Sequence, residues 1–244
     1  MALHFVDEAA AGATPGDRVT LTGAEAHHAA AVRRVRVGEG VTLGDGRGTW
    51  LSGVCASVAP REVVVEVTER EVVPPPARRV VLVQALAKGD RDELAVQAAT
   101  ELGVDEVIPW QAARSVSRWD AAKAEKGRAR WATIAREAGK QAHRAWLPDV
   151  APVVTTRQLT QMAETAQMLV LEPTASVALT ALAATDDARD LVLVVGPEGG
   201  IAPEELQALD AAGAVQVRLG ATVLRTSTAG PAALALVNAS LGRW

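Results

Sequence analysis

A chain of 244 residues that is 49% hydrophobic and 22% charged holds enough apolar material for one large core or two ordinary ones, and it lacks the composition of a disordered chain. Its single cysteine, Cys55, excludes a disulfide framework and a cysteine-based zinc site, and no stretch approaches the roughly 20 apolar residues of a membrane helix. The net charge of −4 argues weakly against nucleic acid, yet nine Lys or Arg face three acids between Arg114 and Arg144, and a local positive field binds phosphate even on an acidic protein.

The opening Met1–Gly12 carries Asp7 and Glu8 and lacks the basic start and apolar core of a signal peptide, so a cytoplasmic location is expected. Short β-branched or alternating runs follow, predicting strands at Arg18–Thr22, Val41–Gly44, Thr49–Val54 and Val63–Val67. Ala24–Val37 is Ala-rich and predicts one helix between the first two strands. Asp45-Gly46 suits a tight hairpin turn. Several short strands with little helix predict a small β-barrel. Pro74-Pro75-Pro76 can neither donate to a sheet nor continue a helix, which places a domain boundary between residues 1–73 and 77–244.

Beyond the prolines the rhythm changes. Val80–Leu86 is a buried-strand run, and Arg91–Leu102 is helical, with Leu94, Ala98 and Leu102 on one face and Gly103 as the stop. Val104–Trp110 is a strand, 120–144 a long helix rich in Ala, Arg and Lys. Met168–Leu171, Leu191–Val195 and Val215–Leu219 are further strands, Pro203–Ala212 a helix between the last two, and Thr228–Leu241 an apolar final helix. Strands apolar on both faces, alternating with helices, predict an α/β domain: a parallel sheet with helices on both faces.

In open α/β sheets the ligand lies at the carboxyl ends of the strands. Three such ends stand out: Leu171 before Glu172-Pro173-Thr174, Val195 before Gly196-Pro197-Glu198-Gly199-Gly200, and Leu219 before Gly220-Ala221-Thr222-Val223-Leu224-Arg225-Thr226. The glycine loop has no Lys-Ser or Lys-Thr of a P-loop and no G-x-G-x-x-G fingerprint. Glycines that bring backbone to a ligand without a lysine nearby suit a neutral nucleoside better than a polyphosphate. S-adenosylmethionine, an adenosine without phosphate, qualifies.

Val194-Val195-Gly196-Pro197-Glu198-Gly199-Gly200 and Leu219-Gly220-Ala221-Thr222-Val223-Leu224-Arg225-Thr226 resemble the paired signatures of the RsmE family, SPOUT methyltransferases that modify N3 of a uridine in 16S ribosomal RNA. His27-His28 through Val32, Arg34 and Gly38 is similar to the family's N-terminal RNA-binding segment. Ala85–Gly103, with Lys88-Gly89, is similar to its first strand–helix unit. Glu137-Ala138-Gly139-Lys140-Gln141 is similar to its Glu-Ala-x-x-Gln helix. The resemblance spans the whole chain. It implies a PUA-like barrel at the N-terminus, a trefoil-knotted SPOUT domain at the C-terminus, S-adenosylmethionine as cofactor, the small ribosomal subunit as partner, and a homodimer. It places cofactor contacts at Leu171, Glu172, Pro173, Gly196, Pro197, Gly200, Leu219, Gly220, Val223, Leu224, Thr226 and Ala229. One position departs: the family reads Leu-Arg-Thr-Glu-Thr-Ala where this chain has Ser227, so a carboxylate role there does not carry over.

For chemistry at uracil N3, Arg225 is the candidate for stabilising the anion and Glu198 a weaker one for the base; alternatively the two form an ion pair that holds the loops together. Arg33, Arg34 and Arg36, with Arg114, Arg118 and Lys123, are the candidates for RNA phosphate. Of the tryptophans in the basic window, Trp131 is spaced for the core. Four His without clustered carboxylates make His27-His28 an improbable metal site, and no metal is expected. Two other functions stay open: a SPOUT enzyme acting on a ribose 2′-hydroxyl or another base, on tRNA for example, and an RNA-binding assembly factor without catalysis.

Overall fold

The computed structural model describes residues 2–182 and 187–244. The chain forms two compact units, one of Met1–Pro76 with Gly139–Leu147, the other of Ala77–Ala138 with Pro148–Trp244.

In the first unit, strands β1 (Leu3–Val6), β2 (Arg18–Thr22), β3 (Gly40–Gly44), β4 (Thr49–Ala59) and β5 (Glu62–Val72) pair in the order β1-β3-β4-β5-β2. β1 runs parallel to β3 and the remaining pairs are antiparallel. Period-two alternation decides which side faces in: Val19 and Leu21 of β2 are buried while Arg18, Thr20 and Thr22 are exposed. The inward residues enclose a core of Phe5, Leu21, Leu43, Leu51, Val63 and Val65. Register shifts at Ser52/Gly53 and Cys55/Ser57 bend the long β4–β5 hairpin. Gly53 is needed there, because a Cβ would stand 2.6 Å from Val65 Cγ1 and 2.7 Å from Glu66 O.

Three details differ from the sequence-based expectation. β1, too short to show a period, was not anticipated. The Ala-rich segment makes only α1 (Gly23–His27) and a π-helical turn, His28–Val32; Arg34 at φ 54° and Gly38 at φ 85° then turn the chain out of helix. The Asp45-Gly46 connection is longer than a two-residue turn, and the Asp45 carboxylate fastens it by accepting from the N–H groups of Arg47 and Thr49.

Gly139–Leu147 joins this unit from far along the chain. Lys140, 4% exposed, places Nζ 2.9 Å from Glu25 Oε2, and Glu25 Oε1 accepts from Val6 N–H. Trp146 Nε1 donates to Val73 O. His4 stacks on Trp50 at 4.3 Å, within 5.4 Å of the His143 ring.

The second unit contains β6 (Val80–Ala85), α2 (Arg91–Glu101), β7 (Glu106–Trp110), α3 (Ala121–Gln141), β8 (Asp149–Val150), α4 (Thr156–Ala163), β9 (Gln167–Leu171), α5 (Leu179–Leu182), β10 (Leu191–Val195), α6 (Pro203–Ala211), β11 (Val215–Val217) and α7 (Thr226–Ser240). Its sheet has the order β11-β9-β10-β6-β7-β8, and all its pairs are parallel. β6 and β10 lie inside it and are buried at every residue, which explains their apolar runs, broken only by Gln84 in β6. One face packs against α2, α7 and the Trp131–Ala135 stretch of α3, the other against α4 and α6. Helices cover both faces, as expected. α7 is close-packed: a Cβ on Gly230 would lie 3.0 Å from Leu82 Cδ1. The buried face of α2 is not the predicted one. Ala95, Val96, Ala99 and Thr100 point inward, and Leu94 is 49% exposed; small residues win because α2 lies against α7.

Burial, with His143 and Lys140 nearby, pushes the His4 imidazole down from 6.5 to about 4. The unfolded chain therefore takes a proton that the folded one refuses. Stability is complete above pH 6.5 and is lost as pH falls toward 4, by about 3 kcal/mol in all. Thermal unfolding of His4→Phe across that range is expected to show a flatter pH dependence than the parent.

Candidate active site

Parallel pairing brings the three distinctive loops to one edge of the second unit. Leu171 at the end of β9 is in register with Val195 of β10 on one side and Val217 of β11 on the other. The loops leave together and enclose a cavity of about 450 Å³, within the range of ligand pockets. Its wall includes Leu171, Glu172 and Pro173 from the first loop and Gly196, Pro197, Glu198 and Gly200 from the second. The third supplies Leu219, Gly220, Val223, Leu224, Arg225 and Thr226, and α7 adds Ala229. Every residue assigned from sequence to cofactor or catalysis is on this wall. Arg91, Val195, Ile201, Val217, Arg218 and Thr222 are there too. They were missed because strand ends read as core and a lone Arg at a helix start reads as a solvated charge.

The two glycine positions are not equivalent. A Cβ on Gly220 would meet nothing within 4 Å, so its backbone is open to a ligand. A Cβ on Gly196 would lie 2.6 Å from Ile201 Cγ1; this glycine serves the packing of its own loop. Gly200, at φ 73°, closes the turn by donating its N–H to Pro197 O. The Thr226 hydroxyl, at the first turn of α7, donates to Gly196 O at 2.9 Å and accepts from Gln84 Nε2 at 2.9 Å. Gln84 was not singled out in the sequence, since it stands inside an apolar run.

Leucines, open backbone at Gly220 and the carboxylates of Glu172 and Glu198, with no lysine among the described lining residues, fit a nucleoside carrying a positive sulfonium.

The alternative of an Arg225–Glu198 ion pair is not found among the described residues. Glu198 Oε1 instead accepts from Arg91 Nη1 at 2.9 Å and from Lys88 N–H at 3.0 Å, because Arg91 begins the helix next to it. Partial burial pushes the Glu198 carboxyl up, but backbone N–H groups, its own and that of Lys88, and the Arg91 guanidinium outweigh this and hold it below the usual carboxylate range. A carboxylate so held is a weak base. Arg225 is the N-cap residue of α7, and its guanidinium makes no hydrogen bond or ion pair among the described residues. Ser227 follows in the first turn and is not among the residues on the cavity wall.

The candidate phosphate contacts divide. Arg33, Arg34 and Arg36 are exposed in the first unit, between Val32 and Val37, which are also exposed. In the second unit Arg114 donates to Gly199 O beside the cavity loop, Arg118 to Ala113 O, and Lys123 lies 3.6 Å from Asp120. Much of the nine-to-three excess is already engaged: Arg128 donates to Val150 O, Arg130 pairs with Glu93, and Lys140 is buried on Glu25. Trp131 is buried against Trp119, edge to face at 5.4 Å. No helix among the described residues is long and apolar enough to cross a membrane, and no three potential metal ligands cluster there.

The parallel sheet with a cavity at its carboxyl edge and the small curled sheet before it in the chain are those of the RNA methyltransferases. Residues 74–238 match the RNA methyltransferase domain family and residues 21–68 the RNA methyltransferase PUA domain. The ribosomal RNA small subunit methyltransferase E of Mycobacterium bovis is 46% identical over 94% of this chain and 89% of its own. The enzyme of the same name from Neisseria gonorrhoeae, solved with S-adenosyl methionine, has a TM-score of 0.85 at 27% identity, covering 98% of both chains. A methyltransferase from Legionella pneumophila, solved with its cofactor SAM, has a TM-score of 0.88 at 27% identity with the same coverage. The chain belongs to the ribosomal RNA small subunit methyltransferase E family.

The geometry separates two variants. Gly220→Val, entering open space, is expected to weaken S-adenosylmethionine binding by about tenfold or more with little change in Tm. Gly196→Val is expected to lower Tm as well, because it displaces Ile201. Calorimetric titration with thermal unfolding of both checks this; a Gly220→Val protein with normal affinity contradicts it.

Proposed function

We propose that this chain methylates N3 of a uridine in 16S ribosomal RNA, with S-adenosylmethionine held in the cavity of the second unit. The observation that carries the reading is the convergence of all three strand-end loops on one lysine-free cavity with Arg225 on its wall. Residues 1–73 then serve to bind RNA, through Arg33, Arg34 and Arg36, and 77–244 to catalyse. Arg114 and Arg118, near the cavity loop, add phosphate contacts; Lys123 is a weaker one. The protein acts in the cytoplasm as a homodimer with a knotted cofactor region. The resemblance supports the last two points, and exposed Leu94, Val116 and Val223 give the dimer apolar surface to bury.

Bound S-adenosylmethionine supplies an electrophilic methyl group. The chain must hold the uracil in line with it and ease the loss of the N3 proton. Arg225, with no carboxylate to neutralise it, stabilises the negative charge that spreads over O2 and O4 as that proton leaves. Glu198, tied to Arg91 and Lys88, orders the cavity wall; as a weak base it takes the N3 proton only in part, and the rest passes to solvent water. Since Ser227 lies off the cavity wall, the missing family carboxylate does not abolish activity.

Arg225→Ala is expected to lower the single-turnover methylation rate by about 100-fold or more. Arg225→Lys recovers part of it, lacking the planar fork, and Ser227→Ala changes it little. Mass spectrometry of 16S rRNA from cells with and without the gene tests the product. The reading fails if 3-methyluridine is unchanged, or if Ser227→Ala is inactive while Arg225→Ala is not.

A further inference from the structure

On the face of β6 that looks toward α7, Val80 and Leu82 are followed by Gln84, which is wholly buried. It is in register with Val195, the last residue of β10 before the glycine loop. Gln84 Nε2 donates to Thr226 Oγ1 at 2.9 Å and to Ala85 O at 3.2 Å, and the Thr226 hydroxyl in turn donates to Gly196 O at 2.9 Å. Gln84 Oε1 is buried and has no hydrogen-bond partner among the described residues. A buried amide with an unmatched oxygen costs free energy that a leucine would not. Stability alone does not call for glutamine at this point.

What the amide does accomplish is local. The N-cap of α7, Arg225, makes no side-chain capping bond, so the first turn lacks its usual anchor. The Gln84–Thr226–Gly196 chain supplies one. It ties the loop that ends at Thr226 to the loop that starts at Gly196, both of which line the cavity.

We propose that Gln84 is a positioning residue of the methyl-donor site, holding the two cavity loops in register through Thr226. The proposal rests on reading the cavity as the cofactor site. It predicts that affinity and stability move apart, as they would not for a merely structural residue.

The test is calorimetric titration of S-adenosylmethionine, alongside thermal unfolding of unliganded protein, for Gln84→Leu, Thr226→Val, the double variant and Gly220→Val. Gln84→Leu is expected to raise the Kd about tenfold, the net worth of one hydrogen bond, with Tm unchanged or higher. Thr226→Val is expected to do the same to Kd, and the double variant to add little to either. A wild-type Kd in Gln84→Leu while Gly220→Val binds weakly overturns the positioning role. So do losses of affinity that follow Tm and add in the double variant. A wild-type Kd in Gly220→Val overturns the cavity reading, and this proposal with it.

Discussion

Parallel pairing of β9, β10 and β11 is the constraint on which the site depends. In a parallel sheet all the strands end at the same edge, and here Leu171, Val195 and Val217 end in register. Loops whose strands end 22 or more residues apart in the chain therefore share one cavity without any of them being long. The sheet can place them so closely because its inner strands are apolar except at Gln84 and its helices lie tightly on it, as Gly230 does against Leu82. A shift of one residue in this pairing would move every loop and turn every strand side chain to the other face.

Electrostatics then sorts the charged groups around the cavity. Arg91 is spent on Glu198, Arg218 on the carbonyls of Ala175 and Ser176. Arg225 is left with its charge available to a substrate. A guanidinium already paired with a carboxylate offers little to a developing anion, so this division, more than the number of cations, fixes which one can act on the uracil. The same reasoning reduces the basic helix. Charges counted in sequence as a phosphate surface include Lys140, which is internal to the first unit.

Much of this was legible in the sequence because it is local. Unbroken Val and Leu runs reveal strands buried on both faces, Gly-Pro-Glu-Gly-Gly marks the loop after one of them, and all the cavity residues assigned in advance lie on its wall. What was not legible depends on distant partners. Lys140 looks like any solvated helix charge until Glu25, 115 positions earlier, is brought to it. Gln84 looks like a tolerated polar residue until Thr226 is known to face it. The buried side of α2 depends on how near α7 comes, and apolar spacing alone favoured the larger Leu94. Gly196 and Gly220 are the same letter, yet only the space around each shows that one serves packing and the other approach.

Hydrogen–deuterium exchange with and without saturating S-adenosylmethionine tests the central claim most directly, because it reports on each loop separately. The account predicts slowed exchange at 171–174, 196–201 and 219–229 together, with the strands of the first unit unchanged. Protection confined to the first unit, or saturable binding that leaves those three loops unprotected, would contradict it.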